Sequence, residues 1–335
     1  MSQSQRRLRN AFVVTVMLIL SCATVAYSQD EKKEKKEKKL PPQGTAVLWR
    51  EPADIASRNL LLGPGGEAMK PDLSRITFIK EEKGGYSKKY RVKDGRGRTW
   101  VAKIGKEAQS ETAAVRLVWG VGYVSEINYL VPRLTIEGKG TFENVRLEAR
   151  PDNVDRFDEW IWTNNPFAGK RELQGLKVLM ALMENWDLKD SNNRILVVQN
   201  GNRNELHYVV SDLGTTFGKT GGQKSPMAFI KSIKGSRNEP DDYVKDEFIN
   251  GVEGNTVLLD YDGKNESLMR DISVVDARWI GGLLARLSDR QIQDAFRAAN
   301  YTPEQVRMLS GAVRQRINQL VNLQPGAATS ARRPN

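Results

Sequence analysis

The sequence predicts a two-lobed α+β fold: a small antiparallel-sheet amino-terminal lobe with one main helix, followed by a mostly helical carboxy-terminal lobe. Three observations carry this. Strand-type runs separated by glycine turns fill the first half, and helical periodicity takes over after Arg150-Pro151-Asp152-Asn153. The helices are then interrupted once, by a polar loop, a strand pair and an acidic turn between Asn185 and Gly214. With 335 residues and 39% hydrophobic content, the chain can bury one large core or two lobes.

The ends read differently from the body. Arg6, Arg7 and Arg9 precede the apolar run Ala11–Leu20, and small residues follow, the pattern of a secretory signal over residues 1–28. Cleavage after Ser28 places Ala26 and Ser28 at the small-residue positions, so export to a periplasm or the extracellular space is expected. Ile19-Leu20-Ser21-Cys22 resembles a bacterial lipoprotein box, which offers a lipid anchor at Cys22 as the alternative, and an uncleaved anchor is the third. Membrane attachment is expected only by these routes. Residues 29–44 hold a Glu-Lys-Lys repeat closed by Pro41-Pro42 and read as a charged, disordered linker. Residues 45–150 form the first lobe, 151–323 the second, and 324–335 a small-residue, basic, disordered tail.

The net charge of +11 suggests a nucleic-acid footprint until it is located. Residues 1–39 carry nine basic and four acidic side chains, and Arg332 and Arg333 add two more positive charges, so the body is only weakly basic. Without a basic helix or an aromatic-basic sheet motif, no nucleic-acid partner is expected. One His and one Cys leave no material for a zinc site of His and Cys ligands, and make His207 the sole base available to any nucleophilic triad. Chemistry must rest on carboxylates, Asn and Lys.

Ile76–Lys80, Lys89–Lys93 and Thr99–Ile104 read as successive antiparallel strands, with Gly84-Gly85 in the first turn and Lys103 near the end of the third. Glu111 opens an amphipathic helix with Ala114, Val115, Leu117 and Val118 on its apolar face. A strand lysine paired with a helix glutamate holds an ammonium ready for phosphate. Asn128–Ile136 and Thr141–Ala149 complete the strands. Trp160, Trp162 and Phe167 form an aromatic patch that reads as a structural plug or, less readily, as a carbohydrate platform. The apolar helix Glu172–Glu184 then delivers Asp187. Asp187-Leu188-Lys189-Asp190-Ser191-Asn192 has the catalytic-loop form Asp-Leu-Lys-x-x-Asn, and the hairpin Arg194–Val198 with Leu206–Val210 returns Asp212 of Asp212-Leu213-Gly214 beside Asn192. Ser273, Ser288 and Thr302 mark three helix starts, the last followed by Pro303.

On these motifs, residues 76–214 resemble the protein kinase-like superfamily, and its atypical branches in particular. The resemblance implies ATP in a cleft between the lobes, Lys103 on its phosphates with Glu111 as partner, and Gly84 and Gly85 in the covering loop. It further implies Asp187 as catalytic base and Asn192 and Asp212 as Mg²⁺ ligands, with Asn193 as the alternative to Asn192. Departures are visible. Asn185-Trp186 stands where His-Arg precedes the catalytic Asp, no Ala-Pro-Glu follows, and Gly84-Gly85 is a reduced glycine loop. The phrases Gly105-Lys106-Glu107-Ala108, Trp119-Gly120-Val121-Gly122-Tyr123 and Asn185-Trp186-Asp187-Leu188-Lys189 are also similar to those of uncharacterised exported bacterial proteins. Two readings follow: an exported Mg·ATP-dependent phosphotransferase of unspecified acceptor, or an inactive pseudokinase or envelope interaction module. A carbohydrate-binding protein built on Trp160 and Trp162 is the third.

Overall fold

Alternation of apolar and charged side chains gives the first half of the chain a sheet with two unlike faces. The strands are β1 (Thr45–Val47), β2 (Thr77–Glu82), β3 (Lys88–Lys93), β4 (Thr99–Ile104), β5 (Asn128–Ile136) and β6 (Gly140–Ala149), with helix α1 (Glu107–Gly120) between β4 and β5. The computed structural model describes residues 42–84, 87–221 and 235–326. The expected signal, Cys22, most of the linker and tail, and Gly85 lie outside the described residues.

Strands β2 to β6 form a five-stranded sheet in the order β2-β3-β4-β6-β5, antiparallel throughout. Directly opposed residues share a face. Trp100 faces Ala149 and Ala102 faces Leu147, and these join Tyr90, Val92, Tyr129, Val131 and Val145 in one apolar cluster. Val101 faces Glu148 and Lys103 faces Arg146, which puts the ionic residues on the opposite side, toward α1. The period of two thus separates a dry face from a charged one.

Helix α1 starts at Glu107, one turn before the Glu111 start expected from sequence. Glu107 lies in the first turn, where a carboxylate suits the positive end of the helix, and Glu111 follows one turn later on the same side. The apolar side of α1, with Ala113, Ala114, Leu117 and Val118, belongs to the main core.

That core is shared by α2 (Arg171–Leu182), α4 (Val274–Ala285), α5 (Asp289–Arg297) and α6 (Pro303–Val321). The short helix α3 (Pro240–Lys245) adds Tyr243. Strands β7 (Val154–Arg156), β8 (Asn193–Asn200) and β9 (Arg203–Val210) form a second sheet in the order β1-β9-β8-β7, and β10 (Ile249–Glu253) pairs with β11 (Thr256–Leu259). β1 runs parallel to β9, Leu48, Ile55 and Leu60 enter the main core, and Gln291 Nε2 donates to the carbonyls of Ile55 and Arg58. Residues 45–60, grouped by sequence with the first lobe, therefore pack on elements of the second half.

Each expected start of the last three helices is capped. The Ser273 side chain accepts from the Asp276 amide, and Ser288 with Gln291 and Thr302 with Gln305 form reciprocal capping boxes. Arg316 of α6 reaches Glu184, just past α2, at 2.6 Å and fixes the base of the loop that carries Asp187. Among the described residues no helix is long and apolar enough to cross a membrane.

Candidate functional site

Lys103 is the hub. Its side chain is 2% exposed, and Nζ lies 2.8 Å from Glu111 Oε2, 2.9 Å from Glu107 Oε2 and 3.2 Å from Asp212 Oδ1. Burial works against the charged ammonium, but the carboxylates of Glu111, Asp212 and Glu107 outweigh it and raise the lysine above its ordinary range. Burial likewise pushes the Glu111 carboxyl up, against the pull of Arg146 and Lys103. Glu111 is held at its other oxygen by Arg146 Nη1 at 3.1 Å, and Arg146 Nη2 bonds Glu148 at 2.6 Å.

The β8–β9 hairpin closes the far side. The carbonyl of Asn192 accepts the backbone amides of Ser211 at 2.8 Å and Asp212 at 3.1 Å, so the hairpin ends are stitched together where the two polar side chains emerge. Asp212 accepts Gly214 N at 3.2 Å and keeps 40% of its side chain exposed. Burial opposes its ionisation, yet Lys103, the Gly214 amide and Arg146 bring its pKa below the usual aspartate value. A Cβ at Gly214 would stand 2.7 Å from Glu107 Cβ, so only glycine lets this turn lie against α1. Ser110 Oγ donates to the Gly214 carbonyl at 2.8 Å and fixes that contact.

Asp187 is reached from Asn192, whose Nδ2 donates to the Asp187 carbonyl at 2.6 Å and to Oδ2 at 3.2 Å. Lys189 Nζ lies 2.8 Å from Asp187 Oδ1. The structure therefore brings Lys103, Glu111, Asp212, Asn192 and Asp187 into one continuous set of contacts. Asn193 is fully buried and its Nδ2 donates to the Trp160 carbonyl at 3.0 Å, so it supports the hairpin from behind. Gly84 has φ +103 and open space where a Cβ would be, in the turn between β2 and β3. Ser87, at the far end of that turn, donates to Glu107 Oε2 at 2.8 Å and ties it to the lysine.

Several residues of the site were not singled out by sequence. Glu107 is a second carboxylate on Lys103, and its i, i+4 spacing from Glu111 was the available signal. Arg146 and Glu148 needed the strand register. Arg156 joins Glu126, Glu148 at 3.3 Å and Ser211 Oγ at 2.8 Å, linking the sheet to the residue before Asp212. Asn185, in the place of the expected His-Arg, accepts the Thr215 hydroxyl at 2.5 Å and ties the Asp187 loop to the segment after Gly214.

The aromatic patch is a correction to the carbohydrate reading. Trp160 and Trp162 are 3% and 2% exposed, pack edge to face at 4.7 Å, and Trp160 Nε1 donates to the Val209 carbonyl. Neither ring presents a face to a sugar.

The donor set fits magnesium. An amide oxygen from Asn192 and an ionised Asp212 carboxylate are hard donors of the kind Mg²⁺ takes with water and phosphate completing its shell. Among the described residues no group of three or more His, Cys, Asp or Glu side chains is arranged to hold a metal.

No protein-family model and no curated protein matches the sequence. Solved structures do. A proinflammatory kinase of Helicobacter pylori, CtkA, aligns over 75% of this chain and 95% of its own at 13% identity and a TM-score of 0.47. The hydra Fam20 structure with sugar aligns over 76% and 88% at 9% identity and 0.33, and an apo pseudokinase over 88% and 100% at 13% and 0.19. At these scores the likenesses carry no argument. On this chain's own terms the fold is α+β: an antiparallel five-stranded sheet, a lysine-to-helix-glutamate pair, and a hairpin that returns Asp212 to Asn192.

Proposed function

We propose that this chain is a kinase-like phosphotransferase that uses Mg·ATP and is exported. One observation carries the reading: Lys103, Asp212, Asn192 and Asp187 form an unbroken chain of contacts across the end of the sheet and the β8–β9 hairpin. In this role Lys103 binds phosphate oxygens as a fixed cation, and Glu107 and Glu111 hold it in place. Asn192 and Asp212 would hold Mg²⁺, which supplies charge neutralisation at the phosphates. Asp187 orients the acceptor hydroxyl and takes its proton, and Lys189 and Asn192 fix the carboxylate for that task. Support for export is the arginine-led apolar run of residues 1–28 alone.

A second reading, a nucleotide-binding pseudokinase, is favoured by the commitment of Lys103 to Glu107, Glu111 and Asp212 together. Calorimetry with Mg·ATP and a phosphoryl-transfer assay separate the two. The phosphotransferase reading expects saturable Mg·ATP binding lost in Asp212→Ala, and transfer lost in Asp187→Asn with binding kept. Binding without transfer under all acceptors tried supports the pseudokinase, and unchanged binding by Asp212→Ala removes the metal assignment.

A further inference from the structure

A cavity of about 490 Å³ lies beside the crossing from β6 to β7, and none of Lys103, Glu111, Asp187, Asn192 or Asp212 lines it. Its volume is that of a small-molecule site. Trp119, Val124, Ile127, Val154 and Val198 give it an apolar wall drawn from α1, the following loop, β7 and β8.

The charged groups on the wall are not equally satisfied. Arg156 is answered by Glu126 and Glu148, and Arg50 pairs with Glu205, which also takes His207 Nε2 at 2.8 Å. Arg58 differs. Its guanidinium lies over the Trp119 ring, 4.8 Å from the centroid, and donates to the Trp119 carbonyl. Among the described residues no carboxylate lies within ion-pair distance of it, and burial lowers its pKa, the mark of a partly desolvated cation without an anion. Ser125 also lines the cavity, and its Oγ is buried and has no hydrogen-bond partner.

We infer that this cavity binds a small amphiphilic monocarboxylate, such as a medium-chain fatty acid, with its apolar body against Trp119 and Val198 and its carboxylate on Arg58 and Ser125. A carboxylate accepts from both donors, and the apolar wall takes the chain without stranding a polar group. The site is separate from the charged centre but one side chain from it, since Arg156 reaches both the cavity wall and Ser211.

The test is calorimetry on the full chain with decanoate, below its micelle concentration, against decanol. Decanoate is expected to bind saturably at one site and decanol about tenfold or more weaker, the worth of a charge-assisted hydrogen bond. Arg58→Gln should remove the preference for the acid and Arg58→Lys should restore part of it, with both variants folded by circular dichroism. Val124→Trp, which fills the cavity, should abolish binding of both. Equal affinity for acid and alcohol, or decanoate binding that Arg58→Gln leaves unchanged, overturns the inference, and so does the absence of saturable binding. The acid-against-alcohol comparison on the unaltered chain decides the matter even where a variant does not fold. None of these outcomes bears on Mg·ATP binding, so the two proposals fail separately.

Discussion

Lys103 and Glu111 stand eight residues apart on different elements, yet their side chains meet at 2.8 Å inside the protein, 2% and 1% exposed. The contact closes because β4 hands directly to α1, which turns Glu107 and Glu111 back toward the charged face of the sheet. Arg146, opposite Lys103 in the register, completes the arrangement by holding the second oxygen of Glu111. Gln109 of α1 donates to the carbonyls of Ala299 and Asn300, and the apolar side of α1 is buried in the main core, so the pair is held closed by packing.

Replacing Arg146 by Met should be costly. The change leaves Glu111 and Glu148 buried with one cation fewer, and breaking such a pair from one side costs about 3–5 kcal/mol. Urea unfolding should show the loss as a lower midpoint at unchanged slope. Glu111→Gln, which keeps shape and removes one charge, should cost less than Arg146→Met.

The adjacent asparagines should separate cleanly. Asn192→Ala removes a contact to Asp187 and a candidate metal oxygen from a half-buried position, so Mg·ATP affinity should fall about tenfold or more with little change in melting temperature. Asn193→Ala leaves the buried Trp160 carbonyl without its donor, and should cost about 1–3 kcal/mol of stability while sparing the magnesium dependence. Thermal melts and calorimetry on both variants check the assignment.

The Asp212 carboxyl sets an acid limit. Its folded pKa is depressed below the ordinary aspartate value, so its stabilisation is present above that ordinary value and lost as pH falls through the lower folded one. Mg·ATP affinity should therefore be flat from neutrality down to about pH 5 as far as this group is concerned, with the acid loss confined below the ordinary aspartate range. Comparison of pH–stability curves for the unaltered chain and Asp212→Asn should show the difference shrinking only at the acid end.

Trp160 should behave as core. Its side chain packs on Trp162 and Tyr208 and donates to the Val209 carbonyl, and Trp160→Ala should cost about 3–5 kcal/mol, read by chemical unfolding. Glycan titration of the unaltered chain should leave its tryptophan fluorescence unchanged.

The sequence by itself determined the main elements and their order along the chain. The five strands of the first sheet, the apolar helix before Asp187, the β8–β9 hairpin and the three capped helices were all legible, because side-chain periodicity and capping are local properties of the chain. Lys103, Glu111, Asp187, Asn192 and Asp212 were singled out on their motifs, and the structure places them in one set of contacts. Tertiary structure decided the rest. Only the register of β4 on β6 puts Arg146 and Glu148 beside Lys103, and the parallel pairing of β1 with β9 together with the Gln291 bonds to Ile55 and Arg58 ties residues 45–60 to the second half. The hairpin likewise decided that Asn193 is buried against the Trp160 carbonyl while Asn192 turns to Asp187. Partners far apart in sequence leave no periodic trace, because strand register, helix docking and burial are settled by contacts between elements rather than by spacing along the chain.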